Sequence, residues 1–421
     1  MSPFDSNSLR TQFPALTQHV NGKPAVFLDA PGGTQVPQRV INAMSEYLAF
    51  SNANTHGAFA TSIRTERIIH EARSAAADLL GCTPDEVAFG ANMTSLTFAI
   101  SRAIGREIKV GDEIIVTDLD HDANIAPWQA LEEHGAIIRV APICKENCVL
   151  NTQALLELLC PKTKLVAIGM ASNSVGSIND IDCIIRAAHK VGALVYVDAV
   201  HYAPHGLIDV KKLDCDFLAC SAYKFFGPHV GLVYGKKDHM QRFLPYKVRP
   251  ASDNTPDRWE TGTQNHEGLA GFIAAVDYLA DVGRSYGAEI PKEYPHESER
   301  RISLISGMQA IRQYEHKLAK QLVKGLLDIN GLTFYGIKDF EQFTHRVPTV
   351  SIRIATKAPR DVAEILGQEG FFVWDGNYYA LSLSEQLGVE PTGGMVRIGL
   401  VHYNTAYEID RLLETLGNQI K

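Results

Sequence analysis

The sequence predicts an α/β protein with a large domain built on a mostly parallel seven-stranded sheet and a smaller α+β domain at the C-terminal side. Three observations predict it. A chain of 421 residues is too long for one small core. Seven short apolar runs recur along it, the earlier ones separated by amphipathic helical stretches. An acid, Asp198, closes one of those runs, at the strand end where ligands gather in open α/β sheets.

Residues 1–25 are polar and turn-rich and read as an N-terminal arm. Ala25 to Gly33, A-V-F-L-D-A-P-G-G, follows as a short strand broken at Pro31. Pro37 to Phe50 and Arg64 to Leu80 carry helical periodicity, the second stopped by Gly81. The apolar runs then come at Glu86–Phe89, Glu113–Thr117, Ala136–Val140, Leu165–Met170, Leu194–Val197, Phe217–Cys220 and Gly231–Tyr234. Helices are expected at Ile125–His134 and Ile181–Val191 between them. After Tyr278 the charged stretch beginning at Asp281 reads as a hinge or surface insertion. Beyond it, the pattern predicts a helix over Arg301–Leu327 and strands at Leu332–Tyr335 and Thr349–Ile354. A helix at Arg360–Glu369, a strand F-F-V-W and a closing helix over Thr405–Leu416 complete the chain. The expected large domain spans 26–295 and the small one 296–421.

Composition narrows the function. Hydrophobic content of 45% suits a globular enzyme, and the formal charge of −8 with interspersed signs offers no basic face for nucleic acid. No run approaches the ~18 apolar residues of a membrane span. The opening M-S-P-F-D-S-N-S lacks a charged and apolar leader, so a cytoplasmic location is expected. Seven cysteines, an odd number, argue against a disulfide framework. Cys144 and Cys148 lack a second Cys/His pair, so no metal site is expected.

The chemistry concentrates in two segments, V-Y-V-D-A-V-H ending at His201 and S-A-Y-K-F-F-G-P beginning at Ser221. Asp198 and Lys224 are what pyridoxal phosphate chemistry requires: an acid against the pyridine nitrogen and an amine that holds the aldehyde as a Schiff base. A carboxylate there keeps the ring protonated and able to absorb charge. The phosphate needs donors at a helix start, and G-A-N-M-T-S-L-T supplies Thr94 and Ser95, with Ser221 a further candidate.

The motifs L-D-A-P-G-G, N-T-H-G, D-H-D-A-N-I-A-P-W, S-N-S-V-G-S, V-D-A-V-H, A-Y-K-F-F-G-P, E-T-G-T-Q-N and V-R-I-G-L-V-H-Y-N run in register along nearly the whole chain. In this the chain resembles the class V aminotransferase family of fold-type I pyridoxal phosphate enzymes, in its cysteine desulfurase-like branch. The resemblance implies that Lys224 carries the cofactor, that Asp198 partners its ring nitrogen, and that His201 and Asn173 lie near the ring hydroxyl. It implies Thr94 and Ser221 at the phosphate, and Thr263 reaching the phosphate of a second subunit, hence a homodimer with sites at its interface. Arg397 matches the arginine that clamps the substrate carboxylate, a task its planar fork suits.

Three departures limit what transfers. The persulfide cysteine of true desulfurases falls at Tyr379, and no cysteine follows Cys220. A phenol does not replace a thiolate nucleophile. Trp374 stands where the family has a basic residue. The histidine that stacks on the ring is displaced, with Asp122 in its column and His121 one place earlier, and the sequence leaves open which of the two faces the cofactor.

The expected activity is Cα deprotonation of an α-amino acid by Lys224, followed by β-elimination of the C–S lyase type or by epimerisation. Tyr378, Tyr379 and His56 are candidate proton-transfer partners, and Trp374, Asn377, His56 and Arg397 are the expected substrate-side residues. The alternatives are a class V aminotransferase and, in third place, a non-catalytic partner protein.

Overall fold

The computed structural model describes residues 4–288 and 297–419. The seven apolar runs all become strands of one sheet: β1 (Val87–Gly90), β2 (Glu113–Thr117), β3 (Ile137–Ala141), β4 (Thr163–Gly169), β5 (Leu194–Asp198), β6 (Phe217–Ser221) and β7 (Gly231–Gly235). Their spatial order is β1-β7-β6-β5-β4-β2-β3. Only β7 runs against the rest, pairing antiparallel with both β6 and β1. Helices cover both faces, so β4 to β7 bury consecutive residues, which is why they read as unbroken apolar runs and not as alternating ones.

Helix Ala60–Leu80 ends at Gly81, whose φ of +76° makes the left-handed turn that an L side chain resists. The stretch expected to become a loop at Asp281 instead continues helix His266–Tyr286. Tertiary packing decides this: Val282 and Gly283 are buried beneath helix Glu299–Leu327. The two helices cross so closely that a Cβ on Gly283 would sit 1.8 Å from the Ser303 carbonyl oxygen. The expected domain boundary at 295/296, and part of the expected hinge, lie outside the described residues.

The smaller domain is a four-stranded antiparallel sheet, β8 (Leu332–Tyr335), β9 (Thr349–Ile354), β10 (Trp374–Gly376) and β11 (Met395–Gly399), in the order β8-β9-β11-β10. Leu322, Val350, Ile352, Leu366, Ile398 and Leu412 form its core. The F-F-V-W run is not one strand. Phe371–Phe372 pairs in parallel with Val26–Phe27, while Trp374 opens β10 opposite Arg397. Val26 and Leu28 consequently bury their side chains in the core of the smaller sheet. No described helix is long and apolar enough to cross a membrane.

Candidate active site

The site forms where β4, β5 and β6 end. Asp198 is the last residue of β5 and lies in register with Gly169 on β4 and Ala219 on β6. Strand β6 ends at Ser221, and a single 3₁₀ turn, Ala222–Lys224, delivers Lys224 to the same edge. The next two residues hold that turn in place. Phe225 and Phe226 are fully buried, and the Phe226 N–H donates to Thr34 Oγ1 at 2.7 Å. The Lys224 amine donates to the Pro31 carbonyl. Asp198, Lys224, His121, Asn173, His201 and Ser221 thereby line one cavity, whose floor is also formed by Thr94 and Asp120.

Burial sets the electrostatics of this cavity. Desolvation first, then the Arg397 charge, pushes the Lys224 amine down to about 7, against the raising effects of Asp198 and Asp29. Burial raises the Asp198 carboxyl to about 6, although the Val200 N–H at 2.9 Å and Lys224 stabilise its ionised form. A cation set against Asp198 would reverse that shift. Asp120 is raised further, to about 8, by burial and then by the Asp198 charge. His121 falls to about 4 through burial, Lys224 and Arg397, which leaves its ring neutral.

Arg397 comes from β11 and lines the outer part of the same opening. Its guanidinium lies over the Tyr378 ring, and Nη1 donates to the Asn173 carbonyl at 2.9 Å. The side chain is 4% exposed, and its Nε has no partner among the described residues. Asn173 Oδ1 and His201 Nε2 are likewise buried without partners. Three such orphans around one cavity are costly unless a polar ligand satisfies them. A phosphate-bearing pyridine with a ring hydroxyl, together with an α-carboxylate, has the matching groups, so the donor set fits pyridoxal phosphate plus an amino acid.

His121, not Asp122, lines the inner cavity; Asp122 lines only the outer part. The His121 Nδ1 accepts the Ala123 N–H at 3.0 Å, which fixes the ring, and Tyr379 stacks on it with centroids 5.4 Å apart. Asn92 caps the start of helix Met93–Gly105: its Oδ1 accepts both the N–H and the hydroxyl of Ser95. The Met93 N–H donates to Ser221 Oγ at 3.1 Å, joining that helix start to the lysine turn. Trp374 and Asn377 line the outer cavity. The Asn377 amide is already engaged, accepting from Tyr379 N–H and donating to Glu390 Oε1.

Two of the expected residues are not brought in. His56 has a side chain 91% exposed and lies 3.6 Å from Glu66, outside the cavity. Thr263 lines a separate, open pocket with Glu260, Gln264 and Ser95. Sequence reasoning missed Asp29 and Asp120. Asp29 is raised to about 6 by burial, against the Arg397 and Lys224 charges, with Oδ1 unpartnered. Asp120 accepts the Gly169 N–H at 2.7 Å and so ties the β2 end to β4. Both sit inside motifs already singled out, L-D-A-P-G-G and D-H-D-A-N, where an acid reads equally well as a turn residue.

The class-V aminotransferase family matches residues 26–305 and 301–412. The chain belongs to that family. It is similar to a cysteine desulfurase of Pectobacterium carotovorum subsp. carotovorum, 31% identical with 97% of this chain and 96% of the relative covered. It is also similar to an aminotransferase-like protein of Gibberella zeae, 32% identical over 99% of this chain and 98% of that one. Among solved structures, the apo cysteine desulfurase of Thermococcus onnurineus NA1 superimposes with a TM-score of 0.86 at 25% identity, covering 98% of both chains. The Escherichia coli cysteine desulfurase CsdA, in its S-sulfonic acid form, gives 0.84 at 25% identity, with 99% and 98% covered. This class-V chain is thus a cysteine desulfurase-like member of a pyridoxal-phosphate-dependent enzyme family with the fold-type I architecture.

Proposed function

We propose that this class-V protein binds pyridoxal phosphate and acts on an α-amino acid, removing the Cα proton and then expelling a β substituent or returning a proton. The observation that carries the reading is the convergence of Lys224, Asp198 and Arg397 on one cavity, in a chain with no cysteine after Cys220. The cofactor, when bound, supplies an aldehyde for the Lys224 amine and a conjugated ring that accepts the electron pair of the breaking Cα–H bond.

Asp198 would hold the ring nitrogen, and His121 would cover the ring face. Asn173 and His201, with their orphaned atoms, would meet the ring hydroxyl, while Thr94 and Ser95 at a helix start, with Ser221 at the adjoining strand end, would hold the phosphate. Arg397 would take the substrate carboxylate with the guanidinium donors that Asn173 leaves free, Nε among them. Lys224 suits the proton transfer, because an amine near 7 accepts and returns a proton at neutral pH. The Tyr378 phenol donates to the Met395 carbonyl, so Tyr379, 71% exposed at the mouth, is the freer proton partner for epimerisation.

A homodimer completes this reading. Thr263 faces an open pocket away from Lys224, where a second subunit could use it, and Leu48, Phe50, Phe59, Leu244, Tyr246 and Val248 present exposed apolar surface. Light scattering should give twice the chain mass. Incubating the loaded enzyme with cysteine, cystine and thioether amino acids should release a keto acid and ammonia. A half-reaction that stops at the pyridoxamine form and reverses only on adding a keto acid would favour transamination instead. Silence across a broad amino-acid panel would remove the proposal.

A further inference from the structure

We infer that the outer half of the cavity selects α-amino acids whose side chain ends in a cation, an amine or a guanidinium. This deepens the amino-acid reading above and rests on it. Arg397 fixes the polarity of this outer half: buried, with an Nε that has no partner among the described residues, it marks the end nearest Lys224, where a carboxylate belongs. A substrate held there by its α-carboxylate directs its side chain toward either the interior or the mouth, and the interior is the cavity that Lys224 and Asp198 line and that the cofactor would take on the reading above.

The mouth is aromatic and acidic. Trp374 lies in register opposite Arg397 on the neighbouring strand, 51% exposed. Its indole rests on Gly32, where a Cβ would come within 2.3 Å of Nε1, so the ring keeps its place only because that residue is glycine. Tyr378 and Tyr379 follow, both in the left-handed region with φ of +58° and +60°. These angles cost a non-glycine residue about 1 kcal/mol or more each. The loop is pinned there from the large domain, by the Asn173 side-chain amide on the Tyr378 carbonyl and the Asp122 N–H on the Tyr379 carbonyl. Tyr378 already carries the Arg397 guanidinium, so Trp374 and Tyr379, the exposed rings, are the ones left to attract a cation through their quadrupoles.

Charge points the same way. Asp122 and Glu390 line this outer part, and Glu390 Oε2 is buried with no partner among the described residues, its other oxygen taken by Asn377. A third carboxylate, Asp375, is answered by Arg360 at 3.4 Å. The cations that face the opening, Lys224 and Arg397, lie at its inner end, where Asp198, Asp29 and the substrate carboxylate oppose them; His229 on the wall is stacked on Tyr223. An anionic side chain would meet Glu390 and Asp122 without compensation, and a neutral one would leave the Glu390 oxygen unpaired.

The test uses the holoenzyme and three amino acids of matched length: lysine, norleucine and 2-aminoadipate. Binding is read by cofactor absorbance and by the part of the tryptophan fluorescence change that Trp374→Phe removes, since the buried Trp128 and Trp259 also emit. Lysine should bind about tenfold or more tighter than norleucine, with 2-aminoadipate weakest, and the ratio should shrink at about 1 M salt. Glu390→Gln and Asp122→Asn should each narrow the lysine-to-norleucine ratio. Norleucine or 2-aminoadipate binding as well as lysine, with a clear spectral response, overturns this inference and leaves the amino-acid reading standing. No response to any of the three overturns this inference, and if the sulfur amino acids also give none, the amino-acid reading falls with it.

Discussion

The guanidinium of Arg397 lies 4.3 Å from the centroid of the Tyr378 ring, stacked between two domains that the loop of Tyr378 also ties together. The arginine is buried to 4% exposure, and no carboxylate forms an ion pair with it among the described residues. Burial lowers its pKa to about 10, which leaves it charged under all ordinary conditions. A buried cation in this state is ready for an incoming carboxylate.

Arg397→Lys keeps the charge and loses the planar fork. KM for any accepted amino acid should rise about 100-fold, roughly 3 kcal/mol, with a smaller change in kcat. Tyr378→Leu removes the ring beneath the guanidinium and should raise KM less, on the scale of one cation–π contact of about 0.5–2 kcal/mol. Steady-state kinetics on both variants distinguishes them; equal KM values in wild type and Arg397→Lys would rule out the carboxylate clamp.

Lys224 should react with pyridoxal phosphate in cofactor-free protein as an amine titrating near 7, not near 10.5. The sign of each neighbour follows. Asp198→Asn removes a charge that raises the amine and should move the midpoint lower, whereas Arg397→Gln removes one that lowers it and should move it higher. Borohydride trapping at a series of pH values, with the labelled peptide quantified by mass spectrometry, reads all three midpoints. Label on any other lysine would count against the site.

Asp120 makes a stability prediction. Its folded pKa of about 8 lies above its unfolded value near 3.8, so its contribution is fully present below pH 4 and is lost as pH rises through 8. Asp120→Asn keeps an acceptor for the Gly169 N–H and carries no charge. Relative to wild type, the variant should therefore gain stability between pH 5 and 8, by up to about 1.4 kcal/mol per pH unit. Urea denaturation of cofactor-free protein across that range measures the difference, and parallel curves would show that Asp120 does not titrate there.

Tyr379 separates packing from proton transfer. Its ring stacks on His121, and the residue is largely exposed in the outer cavity. Tyr379→Phe keeps the stack, and Tyr379→Ala loses it. If the phenol moves a proton, the Phe variant should lose an epimerisation or exchange rate by about 100-fold, while cofactor absorbance stays as in wild type. Solvent deuterium incorporation at Cα is the readout.

Much of the site was legible because its residues sit at the ends of unmistakable apolar runs. Asp198 and Ser221 terminate β5 and β6, so the pattern that reveals the strands also marks the edge where the cavity opens. Asp29 was not legible in this way. It acts on Lys224 and Arg397 across the meeting of three distant segments, a proximity no local pattern encodes. The choice between His121 and Asp122 was likewise open, because a loop can turn either neighbour inward. The Ala123 N–H on His121 Nδ1 and the grip of Tyr379 on the Asp122 N–H set the rotation.

By itself, the order of residues determined the sheet, the approximate helices and the pairing of an acid with a lysine, since each depends on periodicity or on chemistry written within a few positions. Tertiary structure alone decided the helix that runs on to Tyr286, the division of F-F-V-W between two sheets, and the aromatic, acidic mouth around Trp374. These depend on which distant surface covers a segment. Burial against Glu299–Leu327 outweighs weak local propensity, and pairing with Val26–Phe27 or with Arg397 outweighs continuity along the chain.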